Sequence, residues 1–128
     1  MNETKNYSIT KSGAVILEGG ANRGVFTAGA LDFLMEQEYY IPHVIGVSAG
    51  ACNALDYVSR QIGRTRDCMI VTDEKNRYVN KNIKTIVEKK ALLDMDMVFE
   101  RYPYEIFPFD FDTYFAVSYT HLRAHETR

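Results

Sequence analysis

The sequence predicts an α/β fold with a mainly parallel sheet. Two short apolar runs carry that expectation, Ala14-Val15-Ile16-Leu17 and His43-Val44-Ile45-Gly46-Val47, each followed by a segment with helical spacing of apolar residues. Strand, helix, strand, helix is the order of parallel strands joined by crossover helices.

Ser12-Gly13 leads into the first run, which fits a strand buried on both faces. From Val25 to Glu38 the residues Phe26, Ala30, Phe33 and Leu34 recur at helical spacing among Val25, Leu31 and Met35. Tyr39-Tyr40-Ile41-Pro42 ends that helix, since proline disfavours helix in the residue before it. The second strand follows, then a helix from Ala51 to about Arg60. Beyond Gln61 the pattern weakens. A helix is expected from Arg64 towards Asp73, and a clearer one from Ile83 to Lys90, with Ile83, Ile86 and Val87 on one face. Leu92 to Phe99 is apolar with acidic interruptions, Pro103 and Pro108 break the chain, and a short helix is expected between Asp110 and Phe115.

The chain has 128 residues, 46% hydrophobic and 25% charged, which suits one soluble globular domain. No apolar run reaches the length of a membrane span, and the polar start has no secretory core, so a cytoplasmic protein is expected. A net charge of −2 gives nucleic-acid binding no electrostatic support. Cys52 and Cys68 alone make neither a disulfide framework nor a metal cluster, and no metal or cofactor is expected.

Gly46-Val47-Ser48-Ala49-Gly50 is a G-x-S-x-G sequence lying between a strand and a helix. Such a turn exposes the serine Oγ, and small neighbours admit a substrate beside it. Ser48 also stands at a helix N-terminus, which favours developing negative charge. The plainer reading is an N-cap serine in a tight turn. The second motif, Glu18-Gly19-Gly20-Ala21-Asn22-Arg23-Gly24, follows the first strand. It fits neither the P-loop, because Val25 and Phe26 stand where Lys and Ser or Thr are needed, nor the dinucleotide fingerprint. It suits an oxyanion hole supplied by the Gly20 and Ala21 amides, or a glycine turn needed only for packing. Adjacent parallel strands would bring both loops to one sheet edge.

A catalytic serine needs a base. Outside the tail the only histidine is His43, which begins the strand that Ser48 ends, roughly 16 Å away. Aspartates stand at 32, 56, 67, 73, 94, 96, 110 and 112, and none precedes a glycine. Arg60, Arg64 and Arg66 could meet anionic head groups, and the aromatics from Tyr102 to Phe115 could form a lipid-facing rim. The plainer readings are a solvated face and a core beneath a loop.

Together the two motifs resemble the patatin-like phospholipase family. Gly29-Ala-Leu-Asp-Phe-Leu34, Gly63-Arg64 and Leu93-Asp-Met-Asp96 are similar to its bacterial members. The resemblance covers residues 12–117, the N-terminal part of such a domain. It implies a three-layer α/β/α fold and metal-free hydrolysis of lipid acyl esters by a Ser–Asp dyad. Ser48 would be the nucleophile, with Gly19, Gly20 and Ala21 in the oxyanion loop. Arg23 would be the loop's basic residue, and Gly24, Gly46 and Gly50 would support the two turns. It implies a lipid or acyl-ester partner and leaves peripheral membrane contact and oligomeric state open. Two departures stand out. Ala21 replaces a glycine and resists positive φ, and the Asp-Gly turn that carries the family's aspartate is absent. Without that aspartate this chain is expected to be inactive. A nucleotide- or anion-binding fragment and an α/β-hydrolase with a downstream histidine are the alternatives.

Residues 1–11 read as a flexible N-terminus. Residues 118–128, Ser-Tyr-Thr-His-Leu-Arg-Ala-His-Glu-Thr-Arg, have no apolar period and resemble a translated sequencing-adaptor read-through. They are left out of the expected fold, and the natural sequence is expected to diverge near Val117.

Overall fold

The computed structural model describes residues 12–117 and 121–124. The expected flexible N-terminus and the remainder of the tail lie outside the described residues. Along the chain run β1 (Ala14–Leu17), a 3-10 turn (Ala21–Arg23), α1 (Gly24–Glu36), β2 (His43–Gly46), α2 (Ala49–Val58) and α3 (Arg64–Met69). A second 3-10 turn (Glu74–Asn76), α4 (Ile83–Lys89), a π-helix (Met97–Ile106), α5 (Phe111–Ala116) and β3 (His121–Ala124) follow. They form two compact units, the first ending at Arg66 and resuming at Asp110, the second spanning Asp67–Phe109.

The first unit holds a parallel sheet of order β1-β2-β3. Its register sets Ala14 beside His43 and Leu17 beside Gly46, and His43 beside His121 and Gly46 beside Ala124. The third strand departs from the sequence reading, which left the tail out of the fold. In the structure residues 121–124 complete the free side of β2, which would otherwise present a row of unpaired backbone groups.

The core joins Leu17 and Val44 of the sheet to Leu31 and Met35 of α1 and Ala54, Tyr57 and Val58 of α2, with Val15, Leu34, Tyr40 and Tyr114 packed around them. Burying each large apolar side chain contributes about 1.5–3 kcal/mol. Side chains alternate along a strand, so Ile16 points away from this core, and it is 75% exposed. The expectation that Ala14–Leu17 is buried on both faces is therefore corrected: β1 is an edge strand, and only Leu17 is buried. The face of α1 is corrected too. Gly24, Ala28, Leu31 and Met35 are buried, while Phe26 and Phe33 are 85% and 61% exposed. The helix is apolar nearly all round, so its period does not choose a face. The stripe holding the small residues Gly24 and Ala28 is the one that packs.

Both long helices end in the same motif. Glu38 (φ 53°) donates to Met35 O, and Tyr39 donates to Leu34 O at 2.8 Å. Arg60 (φ 60°) donates to Tyr57 O, and Gln61 donates to Asp56 O at 2.8 Å. These are Schellman caps with charged residues in the left-handed position that glycine prefers. They stop α1 at Glu36 and α2 at Val58, each two residues before the expected end. Beyond the α1 cap, the Tyr57 hydroxyl donates to Tyr39 O at 2.8 Å and accepts from Ile41 N at 2.9 Å, fixing the connection into β2.

The second unit is organised around Tyr102. Its hydroxyl donates to Asn76 O at 2.6 Å, and its ring packs edge-on against Tyr78 and Phe107. Burial first, then Cys68 and Tyr78, push its phenol up to about 12. An isolated antiparallel bridge joins Val79 to Leu93, and Asn82 caps α4 by accepting from Lys84 N at 2.9 Å. Pro103 was expected to break the chain, yet it lies inside the π-helix. Phe107 donates to Tyr102 O at 2.8 Å, the five-residue spacing of a π turn. In α geometry the proline ring would clash with the carbonyl four residues back, and the wider turn relieves that contact.

Glycine at position 38 avoids the cost of holding a side chain at φ 53°. Glu38→Gly is therefore expected to raise stability by about 1 kcal/mol in urea unfolding. An unchanged or lower midpoint would contradict the cap assignment.

Candidate active site

β1 and β2 are parallel, so the segments leaving their C-terminal ends emerge on the same edge. The ladder runs one step past the strands, with Val47 N–H donating to Leu17 O at 3.0 Å. Directly beyond lie Glu18-Gly19-Gly20 on one side and Ser48 on the other.

Gly50 N–H donates to Val47 O at 2.8 Å and closes a four-residue turn, Val47 to Gly50. Ser48 occupies its first central position with φ 53° and ψ −122°, the dihedrals of a type II′ turn and a conformation that side chains rarely adopt. Ser48 is exposed, and its side chain makes no capping hydrogen bond to α2. That separates it from an N-cap serine, whose oxygen would accept from the first turn of the helix. The other two positions of the motif serve close approach. A Cβ on Gly50 would strike the Leu17 carbonyl oxygen and lie 2.7 Å from Glu18 O, and one on Gly46 would strike Gly50 O.

The glycine loop stands against this turn. A Cβ on Gly19 would lie 3.1 Å from Ser48 Cβ and 3.8 Å from Ser48 Oγ. Gly20 (φ 153°) and Ala21 (φ 47°) turn the chain into the 3-10 turn, where Arg23 N–H donates to Gly20 O at 3.0 Å. Ala21 thus adopts the left-handed region that an alanine resists, at a cost of about 1–2 kcal/mol. The Arg23 guanidinium folds back over Gly20: a Cβ there would be 3.3 Å from Arg23 Nε. Among the described residues of this unit, the amides of Gly20 and Ala21 donate to no protein acceptor. The Ala49 amide, first in α2, has no helical carbonyl behind it to bond. The sequence reading missed this third donor, although its place follows from the helix starting at Ala49 and not Ala51.

No carboxylate of the unit hydrogen-bonds Ser48 Oγ among its described residues. Asp56 is buried, with Oδ1 accepting from Arg64 at 2.9 Å and Oδ2 from Thr65 at 2.5 Å. Burial pushes its carboxyl above the ordinary range, with Arg64 and Thr65 pulling the other way. Asp32 accepts from Gly63 N, and Asp110 caps α5 through Thr113. His43 begins β2, and the length of the strand separates it from Ser48. Among the described residues no three His, Cys, Asp or Glu side chains gather to hold a metal ion. Of the three arginines in the basic run, Arg64 pairs with Asp56, and the Arg60 guanidinium lies 3.5 Å from the centre of the Tyr40 ring. Tyr102 of the aromatic stretch is buried, while Tyr104, Phe111 and Phe115 are exposed.

A family model for patatin-like phospholipase matches residues 15–117. A protein of Escherichia coli strain K12, named Uncharacterized protein YjjU, is 32% identical over 88 residues, 68% of this chain and 24% of that protein. The chain therefore spans about a quarter of the length of this curated relative. No solved structure matches it.

Ser48→Gly is expected to raise stability by about 1 kcal/mol by removing strain at φ 53°. Gly50→Ala is expected to lower it by about 1–3 kcal/mol or more, because the new methyl meets backbone that cannot move aside. Gly29→Ala, whose Cβ meets nothing within 4 Å, is the control and is expected to gain about 0.5–1 kcal/mol. Equal effects at positions 29 and 50 in thermal unfolding would contradict the close approach.

Proposed function

The chain belongs to the patatin-like phospholipase family, and from that premise we propose that it is the nucleophile-bearing part of a lipid acyl hydrolase. The observation that carries the reading is Ser48: exposed, strained at φ 53° and in contact with the glycine loop. Strain of this kind persists where the surroundings over-determine it, and it clusters at reacting groups. An anion-binding loop alone would not require it.

Ser48 Oγ attacks the acyl carbonyl carbon, and its proton passes to a base. The carbonyl oxygen takes up negative charge and is held by the amides of Gly20, Ala21 and Ala49, with the Arg23 cation beside the loop. The tetrahedral species expels the alcohol with a proton, leaving an acyl ester on Ser48. Water then attacks that ester and releases the carboxylic acid. Phe26, two residues beyond the loop and 85% exposed, offers apolar surface for an acyl chain and supports peripheral contact with a lipid interface. No described helix is long and apolar enough to cross a membrane.

The base is the missing element. The family resemblance assigns it to an aspartate in an Asp-Gly turn, and no aspartate of these 128 residues precedes a glycine. The chain as it stands is therefore expected to keep only the residual catalysis of binding and the oxyanion hole, about 10³–10⁴-fold over water. The longest product of its reading frame is expected to hydrolyse a short-chain nitrophenyl ester far faster, and Ser48→Ala is expected to cut that kcat by about 10³-fold or more. Turnover unchanged in Ser48→Ala would exclude this serine as nucleophile.

A further inference from the structure

Asn53 is 1% exposed and lies on α2, one turn and a residue beyond Ser48. Its Nδ2 donates to Gly24 O at 3.1 Å and to Ala49 O at 3.2 Å. Gly24 closes the glycine loop and opens α1, and Ala49 follows Ser48 and opens α2. One buried amide thus ties the exit of the loop to the first residue after the serine. The same side chain leaves Oδ1 with no hydrogen-bond partner among the described residues. A buried acceptor without a partner is unfavourable, and leucine has nearly the same shape with no polar atom to strand. Packing alone therefore does not account for asparagine here. The two-pronged donor does, because only an N–H₂ group bonds both carbonyls at once.

We propose that Asn53 is a positioning residue for the reaction: it fixes the spacing between the glycine loop and Ser48, and so between the oxyanion donors and the nucleophile. The inference rests on the reading of that pair as catalytic. Donors held on separate elements keep their alignment only if those elements are locked together, and a misplacement of about 1 Å costs on the order of 10²-fold in rate. Among the described residues Asn53 hydrogen-bonds to neither the serine oxygen nor the loop amides. Its effect passes through the first residues of two helices.

Two variants separate bridging from local helix support. Asn53→Ser keeps a donor for Ala49 O, one turn back, but is too short to reach Gly24 O. Asn53→Ala removes both bonds, and the serine variant decides the question should the alanine variant fail to fold. The assay uses the longest product of the reading frame, with Ser48 sites titrated by a fluorophosphonate so that kcat is counted per folded site. Both variants are expected to lose about 10–100-fold in kcat on the nitrophenyl ester, with KM changed by less than about twofold. Amide exchange at Arg23, whose N–H donates to Gly20 O at the end of the loop, is expected to quicken by about tenfold, while the middle of α2 keeps its protection. A kcat per site and a loop protection equal to the parent's overturn the inference and leave the catalytic reading standing. Turnover that survives Ser48→Ala overturns the reading, and the inference falls with it.

Discussion

At one point the backbone of three segments meets with no side chain between them. Gly50, in the first turn of α2, passes against the Leu17 carbonyl at the end of β1, and Gly46, at the end of β2, lies against Gly50. The rest of the site depends on this approach. It draws the start of α2 over the sheet edge, so that the chain leaving β2 must reverse within the four residues Val47 to Gly50. The reversal has the type II′ form, which sets positive φ on its first central residue, and that residue is Ser48. The same contact brings the loop leaving β1 beside the serine, where a methyl group on Gly19 would crowd Ser48 Cβ at 3.1 Å.

Such a turn is strained, and the elements around it hold it in place. α2 is anchored at its far end by three groups: the buried Tyr57 hydroxyl, the Asp56 pair with Arg64 and Thr65, and the Schellman cap through Arg60 and Gln61. Breaking a buried ion pair by removing one partner costs about 3–5 kcal/mol, so the Asp56 contacts fix where α2 stops and α3 begins. Core packing of Leu17, Leu31, Met35, Val44 and Ala54 presses α1 and α2 onto one face of the sheet. The energy stored at Ser48 and Ala21, about 1–2 kcal/mol each, is offset by that burial.

Much of this was legible from residues. β1 appears with the expected bounds, β2 one residue shorter, and the register that brings both loops to one edge follows from two adjacent parallel strands. The G-x-S-x-G sequence announces a strand-to-helix turn because glycine at both ends has no other use there. What escaped is physically distinct. The buried face of α1 was hidden because nearly every residue of the helix is apolar. Helix ends were set by left-handed caps at Glu38 and Arg60, residues that carry no turn signature. The π-helix needs a bond spacing that no local pattern reports. Residues 121–124 gain their place only by pairing with β2. Asn53 looks like a helix-weakening residue in an alanine-rich segment until its two acceptors are seen.

The central claim is that the fold makes one serine chemically distinct. The direct measurement is to treat the chain with a fluorophosphonate at alkaline pH and map the adducts by peptide mass spectrometry. Every other serine, including Ser59, whose hydroxyl donates to Leu55 O inside the first unit, serves as an internal control. A single adduct at Ser48, lost when the protein is unfolded in urea before treatment, is the result the structure predicts. An unmodified Ser48, or adducts spread evenly over serines and tyrosines in folded and unfolded protein alike, would contradict it.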